Sequence, residues 1–376
     1  MKLLICPAML VVTACAEAQD SCLLRAAQVL DACGKDIPAM KAPADETAKR
    51  LAAGGKLWVA GSRAMISELS GRAGGFMGIR PLKEDQIGAS DVILNFPESD
   101  SDNSPKWTET GAFVVAFGTK PKGFNGVFFS DHAGVGKISP SLAVCIPAWL
   151  FTGEMISALT RIGKMPVVYE SIGAYYGMPR IDKYKNGEIF FHEDMKVPPV
   201  EVGFIAHRYV EAVSAMLHRI EKEQRDNIDR AGGWCREAKT GGKRLYMYSM
   251  GHLFPDEIER TDIGKTFKSA VWNSGFRHPK PDDPYGDGDV AIHIGYQHPP
   301  NVLLGRARAK GTKVVYVSLR SERNFVADNG VVWIDPMWDW PDACVPIAGY
   351  DVPLLPASGV VNGAVAWEIY RLTCGK

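Results

Sequence analysis

Four short apolar segments occur twice along this chain in the same order, and this repetition limits the possible fold more than any other feature. Each segment has the length of a strand and is bounded by glycine or polar residues. The matching segments are residues 54–62 with 241–249, 90–95 with 288–293, 111–117 with 311–317, and 126–131 with 330–335. An ordered series of matches arises by chance far less easily than a single match, so the sequence predicts an internal duplication.

Within each copy, apolar strands alternate with helical stretches. Continuous apolar strands joined by helices are typical of a parallel sheet that is covered on both faces. Right-handed crossovers then make each copy a three-layer α/β sandwich. The predicted fold class is therefore α/β, with two similar αβα sandwiches. A last matching pair, residues 147–149 and 356–358, is expected to mark the final helix of each copy.

The repeat also predicts the domain boundaries. The first sandwich covers residues 23–160, a connection covers 161–204, and the second sandwich covers 205–376. Apolar residues recur at helical spacing between residues 203 and 230, which predicts one long amphipathic helix leading into the second copy. These apolar residues are Val210, Val213, Met216, Leu217 and Ile220.

Composition excludes several classes of function. The chain has 43 Lys and Arg against 43 Asp and Glu, so no net positive field favours nucleic acid as a partner. No apolar run is long enough to predict a membrane span in the mature chain. Eight cysteines without a C-x-x-C pair predict neither a zinc ribbon nor a redox site, and Cys145, Cys235 and Cys344 are expected in the core. No metal site or cofactor is predicted.

Residues 1–20 have the layout of an export signal. Met1 and Lys2 precede an apolar run that ends near Cys15, and small residues follow it. Residues 12–15 also resemble a bacterial lipoprotein box, in which the cysteine becomes the lipid-modified first residue. We therefore expect an exported or periplasmic protein with a lipid anchor at Cys15, in preference to a cytoplasmic one. The alternative is an amphipathic helix packed on the first domain.

The order of these features resembles that of sugar isomerase (SIS) domains, which are phosphosugar-binding α/β modules. In each copy a helical stretch precedes Gly-Gly-Lys, an apolar strand and a serine-containing turn, and an Asp-Val strand and a Gly-x-x-Val-Val strand follow. The resemblance covers about residues 23–160 and 205–375. It implies a tandem pair of domains that binds a sugar or sugar phosphate at the strand tips, in the cleft between copies or at a homodimer interface.

The expected ligand-binding residues lie in or after the strand-tip turns. A phosphate requires hydroxyls and backbone N–H groups that converge at the start of a helix. Ser62 and Ser249 would equally serve as helix N-caps, which is the alternative interpretation. The complete set of expected binding residues is Gly61, Ser62, Arg63, Ser67, Ser249, Gly251, Gln297, Asn301, Ser318 and Ser358.

The loop after the second strand departs from the family pattern in both copies. In the family this loop is rich in Ser, Thr and Gly and wraps the phosphate. Here residues 95–101 are acidic and would repel a phosphate, whereas residues 294–301 are bulky and contain two prolines. The second copy keeps a reduced polar set, Tyr296, Gln297, His298 and Asn301, and is therefore expected to suit a neutral polyol or sugar better than a dianion.

An isomerase also needs a base beside the C1–C2 unit of the sugar. The candidates are Glu68, His252, His298 and Glu368, and no spacing selects one of them. The alternative is that the two glutamates are surface helix carboxylates and that His252 is a hydrogen-bonded turn residue.

Three functions therefore stay open. The first is aldose–ketose isomerisation, and the second is a catalytically silent protein that binds or senses carbohydrate. The third is a carbohydrate-modifying enzyme of the cell envelope, which requires a genuine export signal.

Overall fold

The structure is a computed structural model that describes residues 21–99, 102–172, 177–249, 260–269, 285–295, 305, 307–319, 330–339 and 341–375. The predicted export signal with Cys15 lies outside these residues. So do five predicted site residues, namely Gly251, His252, Gln297, His298 and Asn301. For Ser249 the structure describes the backbone only.

The first half begins with two helices and then alternates strands with helices. Its elements are α1 (Cys22–Gly34), α2 (Ile37–Ala52), β1 (Leu57–Gly61), α3 (Arg63–Leu69), β2 (Arg80–Pro81), β3 (Val92–Phe96), α4 (Ser104–Glu109), β4 (Phe113–Phe117), β5 (Val127–Phe129), α5 (Ala133–Gly136) and α6 (Pro140–Arg161). Short 3₁₀ turns cover Glu84–Gln86 and Lys185–Gly187.

Three helices lead into the second half, which repeats the alternation. The elements are α7 (Met178–Lys183), α8 (Phe204–Glu223), α9 (Arg225–Thr240), β6 (Leu245–Ser249), α10 (Asp262–Thr266), β7 (Lys268–Ser269), β8 (Val290–Ile294), β9 (Lys313–Val317), β10 (Val331–Ile334), β11 (Ala343–Val345), β12 (Leu354–Pro356) and α11 (Ser358–Cys374).

Helix starts follow the local sequence. Ser21 caps α1 by accepting a hydrogen bond from the Leu24 backbone N–H at 3.2 Å. Ser139 precedes α6 in the same way, and Pro140 occupies the first turn, where a missing N–H costs nothing. These residues therefore set where the two helices begin.

Two parallel five-stranded sheets have equivalent strand orders. The first sheet has the order β2-β1-β3-β4-β5, and the second has the order β7-β6-β8-β9-β10. Val59 pairs with Leu94 in the first sheet, and Met247 pairs with Ile292 in the second. The four predicted pairs of strands all form, and the α/β class with parallel sheets is confirmed. A separate antiparallel pair joins β11 to β12.

The last predicted correspondence is wrong. Pro147 lies inside the long helix α6, whereas Pro356 ends the strand β12 and α11 begins two residues later. The two segments share small residues and a proline, but the first is mid-helix and the second is a strand end. Composition alone did not distinguish these environments.

The single long helix predicted over residues 203–230 is also wrong, because the helix breaks at Gln224. The apolar stripe of α8 contains Tyr209, Val213 and Leu217 and packs against α1 and α6. The apolar residues of α9 pack instead against α11. The break allows the apolar face of α8 and the apolar face of α9 to pack against different helices, which a single straight helix could not do.

Helix α6 is the centre of the core. All its residues from Leu142 to Thr160 are buried, and it packs against α2, α8 and α11. By length and apolar character this helix could cross a membrane, but its apolar stretch is wholly buried within the protein. The inner faces of both sheets belong to the same continuous hydrophobic cluster as α6. The two halves are therefore joined through one core.

Two of the three cysteines expected in the core are fully buried, and the third is only half-buried. Cys145 and Cys235 have no exposed surface, whereas Cys344 is intermediate. Burial raises the pKa of the Cys235 thiol to about 12, so it stays protonated near neutral pH.

The first testable prediction concerns Glu154, a fully buried residue of α6. Burial raises its pKa to about 7, although the Gly203 N–H and Arg161 oppose the shift. Because the folded pKa exceeds that of the unfolded chain, stability should fall by up to about 3 kcal/mol as the pH rises from about 4.5 to 7. We expect Glu154→Gln to remove this loss, so that at pH 8 the variant unfolds at higher urea concentration than the wild type.

The exposed Glu109→Gln is the matched control, and it should keep the wild-type pH dependence. An unchanged dependence in Glu154→Gln would show that another group causes it.

Candidate functional site

The tip of β1 forms a tight turn that touches the tip of β3. Gly61 has a φ of +85°, and a Cβ at this position would lie 2.1 Å from the Phe96 carbonyl oxygen. The Ser62 N–H donates a 2.7 Å hydrogen bond to the same oxygen. Only glycine satisfies both the positive φ and the close approach. This contact places the start of α3 at the carboxyl edge of the first sheet, where ligands of such sheets bind.

Four predicted binding residues surround this turn. Gly61 and Arg63 are exposed, whereas Ser62 and Ser67 are half-buried. Ser62 stands at the N-cap position of α3, but its hydroxyl makes no capping hydrogen bond. Ser62 therefore occupies the N-cap position, as the alternative interpretation predicts, but it does not cap the helix by a side-chain hydrogen bond.

In the loop after β3, the carboxylate of Asp102 accepts hydrogen bonds from donors of the same loop. The Asn95 amide nitrogen donates to Asp102 and, at 2.5 Å, to the Ser104 hydroxyl. Asp102 also accepts a 2.9 Å bond from the Ser104 N–H, at the start of α4. A further acid of this loop, Glu98, pairs with Arg260 of the second half at 3.0 Å. Donors that could bind an external anion are thus already bound to Asp102.

Asn95 was not singled out from the sequence, yet it lies beside the Gly61 turn. It is fully buried, and its amide oxygen lies 3.0 Å from where a Cβ on Gly61 would be. Within the described residues this oxygen has no hydrogen-bond partner.

His293 occupies the matching position of the second sheet. His293 pairs with Tyr248 and Tyr316, as Asn95 pairs with Ala60 and Ala116. It is buried, neither ring nitrogen has a described hydrogen-bond partner, and burial lowers its pKa to about 4. A polar residue at the same place in two otherwise apolar segments was the sequence signal that could have identified both positions.

A histidine and a carboxylate meet near the tip of β5. His132 Nε2 lies 2.7 Å from an Asp36 carboxylate oxygen, and both side chains are partly exposed. His132 has a φ of +50°, a conformation that is uncommon outside glycine. Asp36 precedes α2, whose other end leads directly into β1, so the pair lies toward the carboxyl edge of the sheet. A histidine held by a carboxylate can accept or donate a proton there.

Glu68 and Ser358 were predicted separately, and the structure brings them into one buried cluster with Arg72 and Asp342. Arg72 Nε lies 3.5 Å from Glu68, and Arg72 Nη2 lies 3.2 Å from Asp342. Arg72 also donates to the Ser358 hydroxyl, which in turn donates to Asp342 at 3.0 Å. The cluster therefore ties the helix that follows the Ser62 turn to the start of α11.

Glu368 is the second predicted glutamate, and it lies in a different buried network. It accepts hydrogen bonds from Arg225, Arg371 and the Cys22 N–H. Burial opposes its ionisation, but these partners prevail and lower its pKa to about 2. The alternative that Glu68 and Glu368 are surface carboxylates is wrong, because both are completely buried.

The remaining described site residues lie in the second half. The Ser249 backbone pairs with Ile294 at the end of β6. Ser318 is buried at the end of β9, where its N–H donates to the Ile334 carbonyl at 3.3 Å and its carbonyl accepts from the Trp333 ring N–H. Among the described residues, no group of three or more His, Cys, Asp or Glu side chains could hold a metal ion.

We expect Gly61→Ala to destabilise the protein by about 2–4 kcal/mol, because the methyl group would add a collision with the Phe96 carbonyl to the strain of a positive φ. Gly54→Ala is the matched control: its φ is +94° and no atom lies within 4 Å, so only the strain of about 1 kcal/mol applies. Urea unfolding of both variants measures the difference. Equal losses would mean that the contact between the strand tips is unimportant.

The buried cluster predicts strong coupling. Arg72→Met should cost about 3–5 kcal/mol, since it leaves the Glu68 and Asp342 carboxylates uncompensated. In the Arg72→Met background, Asp342→Asn should lower the free energy of unfolding by at least about 1 kcal/mol less than it does in the wild type. A double-mutant cycle measures this difference. Arg208→Met breaks an exposed 3.0 Å pair with Glu211 and should cost less than about 1 kcal/mol. Additive losses at Arg72 and Asp342 would contradict the observed geometry.

Comparison with known proteins supports the fold. No protein-family model matches the chain, and no curated protein matches it by sequence. Among solved structures, the C-terminal domain of glucosamine-fructose-6-phosphate aminotransferase from Francisella tularensis matches with a TM-score of 0.52 and 12% identity, over 94% of this chain and 95% of that one.

Two further solved structures match with lower scores. A protein assigned as a phosphosugar isomerase from Silicibacter pomeroyi has a TM-score of 0.45 and 12% identity, over 93% of this chain and 98% of its own. A protein assigned as sugar-binding from Salmonella typhimurium has a TM-score of 0.47 and 8% identity, over 93% and 97%. The match to the Francisella tularensis domain, which covers 94% of this chain, confirms the expected α/β fold.

Proposed function

We propose that this protein binds a sugar or sugar phosphate at the carboxyl edge of its first sheet. We further propose aldose–ketose isomerisation of the bound sugar as its catalytic activity. The observation that carries the proposal is the meeting of the Gly61–Ser62 turn with the Asn95 loop at two adjacent strand tips. The protein of similar fold from Francisella tularensis acts, by its name, on a sugar phosphate. The equivalent strand orders of the two sheets support the further proposal of an internal duplication.

The first-half site suits a ligand rich in hydroxyls better than a phosphate. Asp102 already occupies the N–H of Ser104 and the amide of Asn95, and its negative charge repels a second anion. Ser62, Ser67 and the exposed Arg63 provide groups that can bind hydroxyls. Phosphorylated sugars should therefore bind no more tightly than free sugars at this site.

A silent carbohydrate-binding protein is the second candidate. Glu68 is enclosed by Arg72 and Trp149. Glu368 accepts hydrogen bonds from Arg225 and Arg371, and its pKa is lowered to about 2. A carboxylate with so low a pKa is a weak base. The remaining candidate base among the described residues is His132, which contacts Asp36 near the tip of β5, two strands from β3. The catalytic form of the proposal requires a ligand that reaches from the Gly61 turn to this pair.

The two candidates are separated by binding and exchange experiments. Thermal shift with free sugars, amino sugars and sugar phosphates measures binding, because a ligand of the folded state raises the melting temperature. Exchange of the sugar C2 proton with deuterated water measures catalysis. Exchange that is lost in His132→Gln, with binding retained, supports isomerisation. Binding without exchange supports the silent protein, and failure of every sugar to bind overturns the proposed function.

The prediction for this site concerns Asp102→Asn, which removes a negative charge and keeps the side-chain shape. We expect roughly tenfold tighter binding of phosphorylated sugars, and little change for free sugars, since about 1.4 kcal/mol of charge repulsion disappears. Asp226→Asn on α9 is the charge-matched control. Strong phosphate-dependent binding by the wild type, abolished in Ser62→Ala, would show that the acidic loop does not exclude phosphate.

A further inference from the structure

A cleft of about 700 Å³ opens at the amino edge of the first sheet, opposite the strand tips. Its walls are the turn between α2 and β1, the short strand β2 with the residues after it, and residues 187–191 of the connection. The pairing of Trp58 with Arg80 places β2 beside the beginning of β1, which fixes the location of the cleft. Its volume is within the range of small-molecule sites.

The described lining of the cleft carries more positive than negative charge. Arg80 is half-buried and donates hydrogen bonds to the carbonyls of Met77, Ile79 and Asn186, and within the described parts of the chain it forms no ion pair. Lys56 and Lys83 add two more cations to the lining. Among the described residues, one acid, Glu188, lines the same cleft. An anionic ligand would therefore gain favourable electrostatic interactions here.

Apolar and aromatic groups provide the rest of the lining. Phe190 and Phe191 stand on one side, and Phe190 is stacked on Phe76 with ring centroids 5.8 Å apart. Trp58 and Leu82 stand on the other side, and Lys56 Nζ lies 5.5 Å from the Trp58 ring centroid. Such walls favour a ligand with an apolar or aromatic body.

We propose that this cleft is a second binding site, separate from the strand tips, for an organic anion with an aromatic or apolar body and one carboxylate or sulfonate group. The anionic group lies toward Lys56 and Lys83, and the body lies against Phe190 and Phe191. This site does not depend on the proposed sugar-binding function. Its position at the opposite edge of the same sheet lets both ligands bind at once.

The test is a fluorescence titration of the full chain with anilinonaphthalene sulfonate, which has an aromatic body and one sulfonate. We expect saturable binding that weakens about tenfold in Lys56→Glu/Lys83→Glu and weakens with added salt. Lys106→Glu/Lys222→Glu, with one exposed lysine on α4 and one on α8, lowers the net charge by the same amount outside the cleft and should leave binding unchanged. Ala52→Trp places a ring in the cleft from an exposed position and should also abolish binding while the melting temperature stays the same.

Absence of saturable binding, or equal affinity in Lys56→Glu/Lys83→Glu and Lys106→Glu/Lys222→Glu, would overturn the cleft proposal. Displacement of the probe by a sugar would show that the cleft and the strand-tip site are not two separate binding sites. A chain that binds the probe but no sugar would support the cleft and overturn only the proposed sugar-binding function.

Discussion

The guanidinium of Arg72 joins the two halves of the molecule, and the geometry of both depends on it. It lies between Glu68, on the helix after the first strand-tip turn, and Asp342, which accepts the N–H of Ser358 at the start of α11. Charges buried in this way are tolerated only when they are paired and hydrogen-bonded. The helix next to the candidate site and the last helix of the chain are therefore held in fixed relation by one cation.

The strands themselves could be predicted from sequence, but this cluster could not. Strands such as Val92–Phe96 and Val290–Ile294 consist almost entirely of apolar residues, so their burial follows from their own composition. Glu68 has no such local signal, because its environment includes Asp342 and Ser358 from the distant end of the chain. The break at Gln224 was equally hidden, since it follows from which helices α8 and α9 meet.

At the site, the acids of residues 95–101 were visible in the sequence, but the carboxylate that binds the local donors is Asp102, just beyond that range. Asp102 accepts hydrogen bonds from the Asn95 amide and the Ser104 N–H, two donors that would otherwise be available to an anion. The position of Asn95 within an apolar strand was visible in the sequence. Its contact with the Gly61 turn was not, because that contact requires knowing that the two strands are neighbours.

The complete enclosure of α6 has a consequence for biosynthesis. Part of its surface is covered by α8 and α11, which follow it in the chain. While the ribosome is still adding those residues, a 22-residue apolar helix lacks these partners. Until α8 and α11 are made, the nascent first half therefore exposes an apolar surface of the kind that promotes aggregation during folding.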